Sequence, residues 1–173
     1  AGMPPGVLNF VSGGGGTVGE EMITNPLVEA ISFTGSTGVG KGIQQSVAQK
    51  LVRTQLELGG KNPAVIMEDA DLDKAAEAVA TAAYACAGQW CTSTSRAIVV
   101  REVAEAFNAK LLERVRAIRV GDGRGDVDMG PVCGTDQLES IMGYIQIGQQ
   151  EGATLAQGGS RLTADGMDKG CFI

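Results

Sequence analysis

The fold is indicated first by Glu29-Ala30-Ile31-Ser32-Phe33, an apolar and β-prone stretch that predicts a strand. A glycine-containing turn over residues 35–40 follows it, and residues 41–51 continue as a predicted helix. Residues 54–58 alternate between polar and apolar side chains and predict a second strand. Since a strand, helix and strand in this order join through a right-handed crossover, the sequence predicts an α/β fold with a parallel sheet.

The rest of the chain continues the alternation of strands and helices. Residues 63–67 predict a buried strand, and Asp71 is a typical N-cap for the helix that follows. The apolar face of that helix has helical spacing and consists of Leu72, Ala75, Ala76, Val79, Ala80 and Ala83. The other predicted elements are a glycine loop at 13–16, helices over 18–24, 103–115 and 138–145, strands over 97–100 and from 170 onward, and a loop at 121–130.

The composition is typical of a soluble globular protein and argues against several kinds of partner. The chain has 173 residues, of which 43% are apolar and 20% charged, and its net charge is −6, so it is too apolar for disorder. An acidic pI of about 4.7 argues against binding to nucleic acid or to an anionic membrane surface. The longest charge-free stretch, 78–95, contains glycine, glutamine and hydroxyl residues, so no membrane span is predicted.

The chain contains no histidine and four cysteines, Cys86, Cys91, Cys133 and Cys171. Without histidine, catalysis by Ser-His-Asp, Cys-His or HExxH sites is excluded within the chain. The cysteines form no CxxC pair, so no metal site is predicted. No signal region is visible, and we therefore expect free thiols in a reducing cytoplasm.

Cys91 is the best candidate for a nucleophile in this sequence. It follows Gly88-Gln89-Trp90 and precedes four hydroxyl residues, a polar setting in which a partly exposed thiolate can react. Glu57 lies 34 positions upstream and is soon followed by Gly59-Gly60, so a ligand can approach closely and the carboxylate can act as a base. The alternatives are a buried structural cysteine, as we expect for Cys86, and a solvated acid at a strand end.

The turn Gly35-Ser36-Thr37-Gly38-Val39-Gly40-Lys41 matches a phosphate loop only in part. Gly42 stands where the motif requires a Ser or Thr that holds Mg²⁺, so nucleotide hydrolysis is not predicted. A strand that leads into a helix still presents free backbone N–H groups, which can bind an anion such as a pyrophosphate. A plain glycine-rich helix start is the alternative.

Three motifs, in this order, resemble the aldehyde dehydrogenase superfamily over nearly the whole chain. They are Phe33-Thr34-Gly35-Ser36-Thr37, Glu57-Leu58-Gly59-Gly60-Lys61 and Gly88-Gln89-Trp90-Cys91. The resemblance implies a three-layer, parallel-sheet α/β fold that is present only in part, because chains of this family are much longer. Residues 1–59 would be the C-terminal part of a Rossmann-like NAD(P)-binding domain, and residues 60–173 the N-terminal part of the catalytic domain.

The resemblance also implies the reaction, which is the NAD- or NADP-dependent oxidation of a small-molecule aldehyde to a carboxylic acid. Cys91 would form a thiohemiacetal and then a thioester, and Glu57 would activate the water that releases the acid. The implied cofactor contacts are Phe33, Gly35, Ser36, Val39, Leu58 and Gly59. The implied enzyme is a cytoplasmic homodimer or homotetramer without a metal, and the isolated fragment is expected to be inactive because residues that complete the site lie outside it.

The substrate and two other classes of function stay open at this stage. The sequence around Cys91 is similar to branches of the family that act on semialdehydes of dicarboxylic acids, such as 2-oxoglutarate semialdehyde, with betaine-aldehyde and broad aliphatic enzymes as alternatives. An acyltransferase or thioesterase would use the Cys91 thiol without a nicotinamide. A non-catalytic protein would keep the fold with Cys91 as an inert thiol.

Overall fold

Two parallel strand pairs organise the chain, one in Ala1–Gly59, which we call unit 1, and one in Gly60–Ile173, which we call unit 2. The computed structural model describes residues 2–173. Parallel strands need a crossover connection, and each unit supplies a helix for it. The predicted α/β class with parallel strands is therefore confirmed, whereas the functional assignment of residues 1–59 and 60–173 stays a prediction.

Unit 1 is one strand–helix–strand motif preceded by a short helix. Its elements are α1 (Glu20–Thr24), β1 (Ala30–Gly35), α2 (Thr37–Val47) and β2 (Arg53–Leu58). The two strands pair in parallel, and their register sets Gly35 opposite Leu58. A π-helical turn over Gly15–Gly19 precedes α1, so the loop predicted at 13–16 is wrong for its last two residues.

Helix α2 begins four residues before its predicted start, because Ser36 caps it. The Ser36 hydroxyl accepts a hydrogen bond of 3.3 Å from the Val39 N–H and so satisfies one of the free donors of the first turn. Gly40, predicted to lie in the turn, is buried inside the helix and packs against β2. A Cβ at Gly40 would lie 2.7 Å from Leu58 Cδ2, so a larger residue at this position would force the Leu58 side chain to move.

Unit 2 contains a second parallel pair and three longer helices. Its elements are β3 (Asn62–Ile66), α3 (Leu72–Tyr84), β4 (Thr94–Val99), α4 (Arg101–Arg116) and α5 (Thr135–Gln150). The register sets Asn62 opposite Thr94. As predicted, Asp71 caps α3, and its carboxylate accepts a hydrogen bond from the Lys74 N–H that lowers the pKa of Asp71.

The core of unit 2 lies between one face of the β3–β4 sheet and the helices α3 and α4. Its buried centre consists of Ile66, Ala76, Val79 and Phe107. Alternate strand residues point away from this core, and Val65 is 62% exposed. The prediction of a buried strand over 63–67 is therefore wrong for the exposed residues Pro63, Val65 and Met67, because within unit 2 the helices cover one face of the sheet.

The connection between α4 and α5 is an irregular loop held by ion pairs. Val120 and Met129 form an isolated bridge across its base, and the Arg119 guanidinium binds both Asp126 and Asp128. These bonds lower the pKa of both carboxyl groups. The strand predicted from 170 onward is wrong, since a 3₁₀ helix (Ala164–Lys169) precedes an extended end that contributes single hydrogen bonds to other loops.

None of the helices within residues 2–173 is long and apolar enough to cross a membrane.

We expect the substitution Phe107→Ala to destabilise unit 2 by about 3–5 kcal/mol, because it opens a cavity in a fully buried core. The measurement is the free energy of unfolding from denaturant titration. Tyr144→Ala is the matched control, since Tyr144 is 73% exposed on α5 and its loss should cost less than about 0.5 kcal/mol. Equal losses for the two variants would contradict the position of the core.

Candidate active site

A stretch of left-handed backbone separates Cys91 from helix α3. The helix ends at Tyr84, and the next residues include three left-handed positions, Cys86 (φ 51), Ala87 (φ 56) and Gly88 (φ 70). Left-handed backbone is unfavourable for residues with a Cβ, so the surrounding contacts must hold it. At Gly88 a Cβ would also lie 3.0 Å from the Ala83 carbonyl oxygen, which favours glycine there.

Cys86 is exposed, so its predicted position in the core is wrong. The prediction extended the apolar period of α3 past Tyr84, where the helix has already ended. Cys133 is exposed as well, and Cys171 is half-buried. All four cysteines are free thiols, and Cys91 is among the exposed ones.

Cys91 lies in a tight turn between Trp90 and Ser93. The Ser93 N–H donates to the Trp90 carbonyl (3.2 Å), and the Trp90 N–H donates to the Ser93 hydroxyl (3.3 Å). Ser93 is 8% exposed and anchors the turn, whereas Cys91 and Thr92 at its tip are exposed. The turn therefore presents the thiol at the surface of unit 2. Trp90 is 56% exposed, which places it outside the core.

Two amide side chains bind this region, and the sequence analysis assigned a role to neither of them. Asn62 Nδ2 donates to the carbonyl oxygens of Cys91 (2.7 Å) and Ser93 (3.0 Å). Gln89 Nε2 donates to the Cys86 carbonyl (3.1 Å), while Gln89 Oε1 accepts from the Cys133 N–H (2.8 Å). The sequence offers one signal for Asn62. It is a polar amide at the start of a strand, directly after the Gly59-Gly60-Lys61 motif.

The backbone around Cys91 can also serve a reaction at the thiol. Among residues 2–173, no backbone acceptor binds the Cys91 N–H. A free N–H beside a nucleophile can donate to an oxyanion that forms on an attacked carbonyl. Arg96 donates from Nη2 to the Lys61 carbonyl (2.6 Å) and ties β4 to the start of β3.

The predicted cofactor contacts all lie in unit 1, at the carboxyl ends of β1 and β2. Gly35 lies opposite Leu58, and Thr34 lies opposite Glu57. Glu57 is exposed. The ring of Phe33 lies against Gly35, where a Cβ would come within 2.4 Å of Phe33 Cζ.

The start of α2 completes this group of residues. Ser36 is its N-cap, and Val39, in the first turn, is 53% exposed. A Cβ on Gly59 would meet no atom within 4 Å, so the backbone there is open to a ligand. A free helix N-terminus beside strand carboxyl ends favours an anion and is a usual place for a nucleotide, so these residues fit a dinucleotide.

Glu57 belongs to unit 1 and Cys91 to unit 2. Within residues 2–173, no group of three or more His, Cys, Asp or Glu side chains is placed to hold a metal ion.

Comparison with known proteins gives consistent matches over the full chain. The model of the aldehyde dehydrogenase family matches residues 1–173. The α-ketoglutaric semialdehyde dehydrogenase of Bacillus subtilis is 45% identical over all of this chain, which covers 36% of that relative. The chain thus spans about a third of the relative's length.

Two solved structures show the same fold. A betaine aldehyde dehydrogenase double mutant from Staphylococcus aureus, in complex with NAD+, has a TM-score of 0.93 and 38% identity, with 99% of this chain and 34% of that chain covered. HpcC from Thermus thermophilus has a TM-score of 0.92 and 37% identity, with the same coverage. The match of the family model to every residue, together with these identities, establishes that the chain belongs to the aldehyde dehydrogenase family.

Proposed function

We propose that the chain is part of an enzyme that oxidises an aldehyde to a carboxylic acid with NAD or NADP as the acceptor. The observation that carries the proposal is the turn of unit 2, in which an exposed Cys91 thiol stands next to its own backbone N–H, to which no backbone acceptor within residues 2–173 is bound. A nucleophile and an oxyanion donor on one residue suit attack on a carbonyl carbon. Membership of the aldehyde dehydrogenase family supports the same chemistry.

Cys91 acts first, as a thiolate that adds to the carbonyl carbon of the aldehyde. A carbon–sulfur bond forms, and the carbonyl oxygen becomes an oxyanion that the Cys91 N–H stabilises. Loss of hydride from the same carbon turns this thiohemiacetal into a thioester on Cys91. When bound, NAD or NADP supplies the acceptor for that hydride.

Glu57 acts second, as the base that activates water. It removes a proton from the water that attacks the thioester carbon, the carbon–sulfur bond breaks, and the carboxylic acid leaves with the Cys91 thiol restored. The exposed side chain of Glu57 at the end of β2 supports this role, since a water molecule can reach it. A free acid, rather than a thioester of coenzyme A, is then the product.

The cofactor is held by unit 1 in this proposal. The Ser36-capped start of α2 offers its N–H groups to the pyrophosphate, and the backbone of Gly35 allows close approach. Phe33 and the exposed Val39 would supply apolar contact, and the backbone of Leu58 and Gly59 would be the part of this unit that holds the nicotinamide. The proposal makes 1–59 the cofactor-binding part and 60–173 the part that carries the thiol.

The substrate we propose is a semialdehyde of a dicarboxylic acid, such as 2-oxoglutarate semialdehyde. The 45% identity to the α-ketoglutaric semialdehyde dehydrogenase supports this class over the betaine aldehydes, for which a neighbour at 38% identity is named. We further propose a cytoplasmic homodimer or homotetramer. Because the chain covers 36% of that relative, we expect the 173 residues alone to be inactive.

We expect Cys91→Ala, in the full-length enzyme that contains this chain, to reduce aldehyde-dependent formation of NADH or NADPH by at least about 10³-fold, because the nucleophile is lost. The measurement is absorbance of the reduced nicotinamide. Cys133→Ala, which removes another exposed thiol of unit 2, is the matched control and should keep the activity. Turnover of a thioester without NAD, in place of aldehyde oxidation, would favour the acyltransferase or thioesterase class.

We expect Glu57→Gln to lower steady-state turnover by about 10²-fold or more while a burst of reduced nicotinamide remains, because hydride loss precedes the step that needs the base. Stopped-flow absorbance separates the burst from the steady state. Glu29→Gln changes another exposed glutamate of unit 1, at the opposite end of β1, and should leave both phases unchanged. Loss of the burst together with turnover would show that Glu57 is needed before the thioester forms.

We expect the kcat/KM of the full-length enzyme to be highest for a semialdehyde that carries a carboxylate. The measurement compares 2-oxoglutarate semialdehyde with betaine aldehyde and with a neutral aliphatic aldehyde of similar length. A preference for betaine aldehyde would refute the proposed substrate class and leave the aldehyde dehydrogenase reaction intact. Failure with every aldehyde, in a folded protein with either cofactor, would refute the reaction itself and favour a non-catalytic role.

A further inference from the structure

The side chain of Asn62 makes both of its described donor contacts to the turn that carries Cys91. Its Nδ2 atom lies 2.7 Å from the carbonyl oxygen of Cys91 and 3.0 Å from that of Ser93. One amide group therefore spans the two carbonyls on either side of Thr92. Asn62 is half-buried, whereas Cys91 and Thr92 are exposed, so the more rigid partner is the strand residue.

These two bonds restrain the torsion angles that aim the thiol. The direction of the Cys91 carbonyl sets ψ of Cys91, and the bonds between Trp90 and Ser93 restrain the chain on the other side. With the backbone held on both sides, the direction of the Cα–Cβ bond of Cys91 is fixed relative to the direction of its N–H bond. The thiol and the oxyanion donor can act on one carbonyl group only if that relation is kept.

The position of Asn62 in the sheet explains why it can hold the turn. Asn62 is the first residue of β3 and pairs with Thr94, the first residue of β4, and a register shift separates it from Pro63. Its carbonyl accepts a weak bond of 3.5 Å from the Ser95 hydroxyl. Gly60 leaves room for the side chain, since a Cβ there would lie 3.0 Å from Asn62 Oδ1.

The Cys91 carbonyl belongs to an exposed residue, so water can replace Asn62 there, whereas the Ser93 carbonyl belongs to a buried residue. The net contribution of a hydrogen bond of this kind to stability is nonetheless modest. A displacement of the nucleophile by about 1 Å, in contrast, can lower a reaction rate by about 10²-fold. If Asn62 positions the nucleophile, its loss should therefore lower the reaction rate much more than it lowers the stability of the fold.

We propose that Asn62 is a positioning residue, which holds the turn over 90–93 so that the Cys91 thiol faces the carbonyl carbon while the Cys91 N–H faces the oxygen of the same carbonyl group. The inference rests on the proposed function, in which Cys91 attacks an aldehyde. Asn62 itself touches neither the substrate nor the reacting atoms. It acts through the two carbonyl oxygens that its amide binds.

The test is Asn62→Leu in the full-length enzyme, a change that keeps the size of the side chain and removes both hydrogen bonds without adding charge. We expect kcat and the burst rate to fall by about 10- to 100-fold, with little change in the aldehyde KM or in NAD affinity. Asn108→Leu, at an exposed position of α4, is the matched control and should keep kcat. An unchanged kcat in Asn62→Leu would overturn the proposal.

Asn62→Asp supplies a second readout, which is the dependence of the burst rate on pH. A carboxylate repels the two carbonyls, whereas a protonated carboxyl can donate to one of them. The burst rate of this variant, divided by that of the unchanged enzyme, should therefore rise as pH falls through the pKa of the new carboxyl group. A ratio that is constant with pH would count against positioning.

Alkylation by iodoacetamide needs no aldehyde and so separates this inference from the proposed reaction. In Asn62→Leu, the rate of modification of Cys91 should fall several-fold relative to Cys133, measured by mass spectrometry of the same sample. That result would support the inference even if no aldehyde is oxidised. An unchanged ratio, or loss of cooperative unfolding in both Asn62 variants, would overturn it in favour of a purely structural residue.

Discussion

The parallel pairing of β3 with β4 is the constraint on which the geometry around Cys91 depends. It sets Asn62 opposite Thr94, and Thr94 follows directly after the turn that carries the thiol. The pairing is stabilised on its inner face by the core around Phe107, in which α3 and α4 pack on the strands. A disturbance of that core therefore reaches the thiol through the register of two strands.

Cys91 lies before a strand, whereas the predicted cofactor contacts of unit 1 lie at or close to the carboxyl ends of strands. In α/β proteins, ligands usually bind at the carboxyl ends of parallel strands, and Gly35, Leu58 and Glu57 lie at such ends. Cys91 instead lies in the turn between α3 and β4. The left-handed residues 86–88 stand between the end of α3 and that turn, which the side chains of Asn62 and Gln89 hold.

Much of the fold could be predicted from periodicity. The errors lie at positions where one contact, rather than the local sequence pattern, determines the structure. The alternation of strands and helices and the Asp71 cap were visible, because each depends on residues close in sequence. The early start of α2 depends on one bond from Ser36, and a Gly40 inside a helix depends on contact with Leu58, which lies on another element. Cys86 shows the same limit, since an apolar period does not indicate where a helix ends.

The residues of the candidate site also fall into two groups, those that the sequence indicates and those that it does not. Cys91 and Glu57 could be selected because reactive side chains beside glycines are visible in a sequence. Asn62 and Gln89 could not be selected, because an amide shows its role only through the partners that it binds. Asn62 binds Cys91, which is 29 residues away in the sequence, and Gln89 binds Cys133, which is 44 residues away. Long-range contacts of this kind are set by strand register and loop path, which the local pattern leaves undetermined.

The choice of neutral amides to hold the turn has a physical reason. A lysine at position 62 could donate to the same carbonyls, but it would add a full charge beside the turn on a longer and more flexible side chain. Asn62 and Gln89 are uncharged and bind the backbone on the two sides of Cys91. These two amides can therefore set the geometry of the turn without adding a charge beside it.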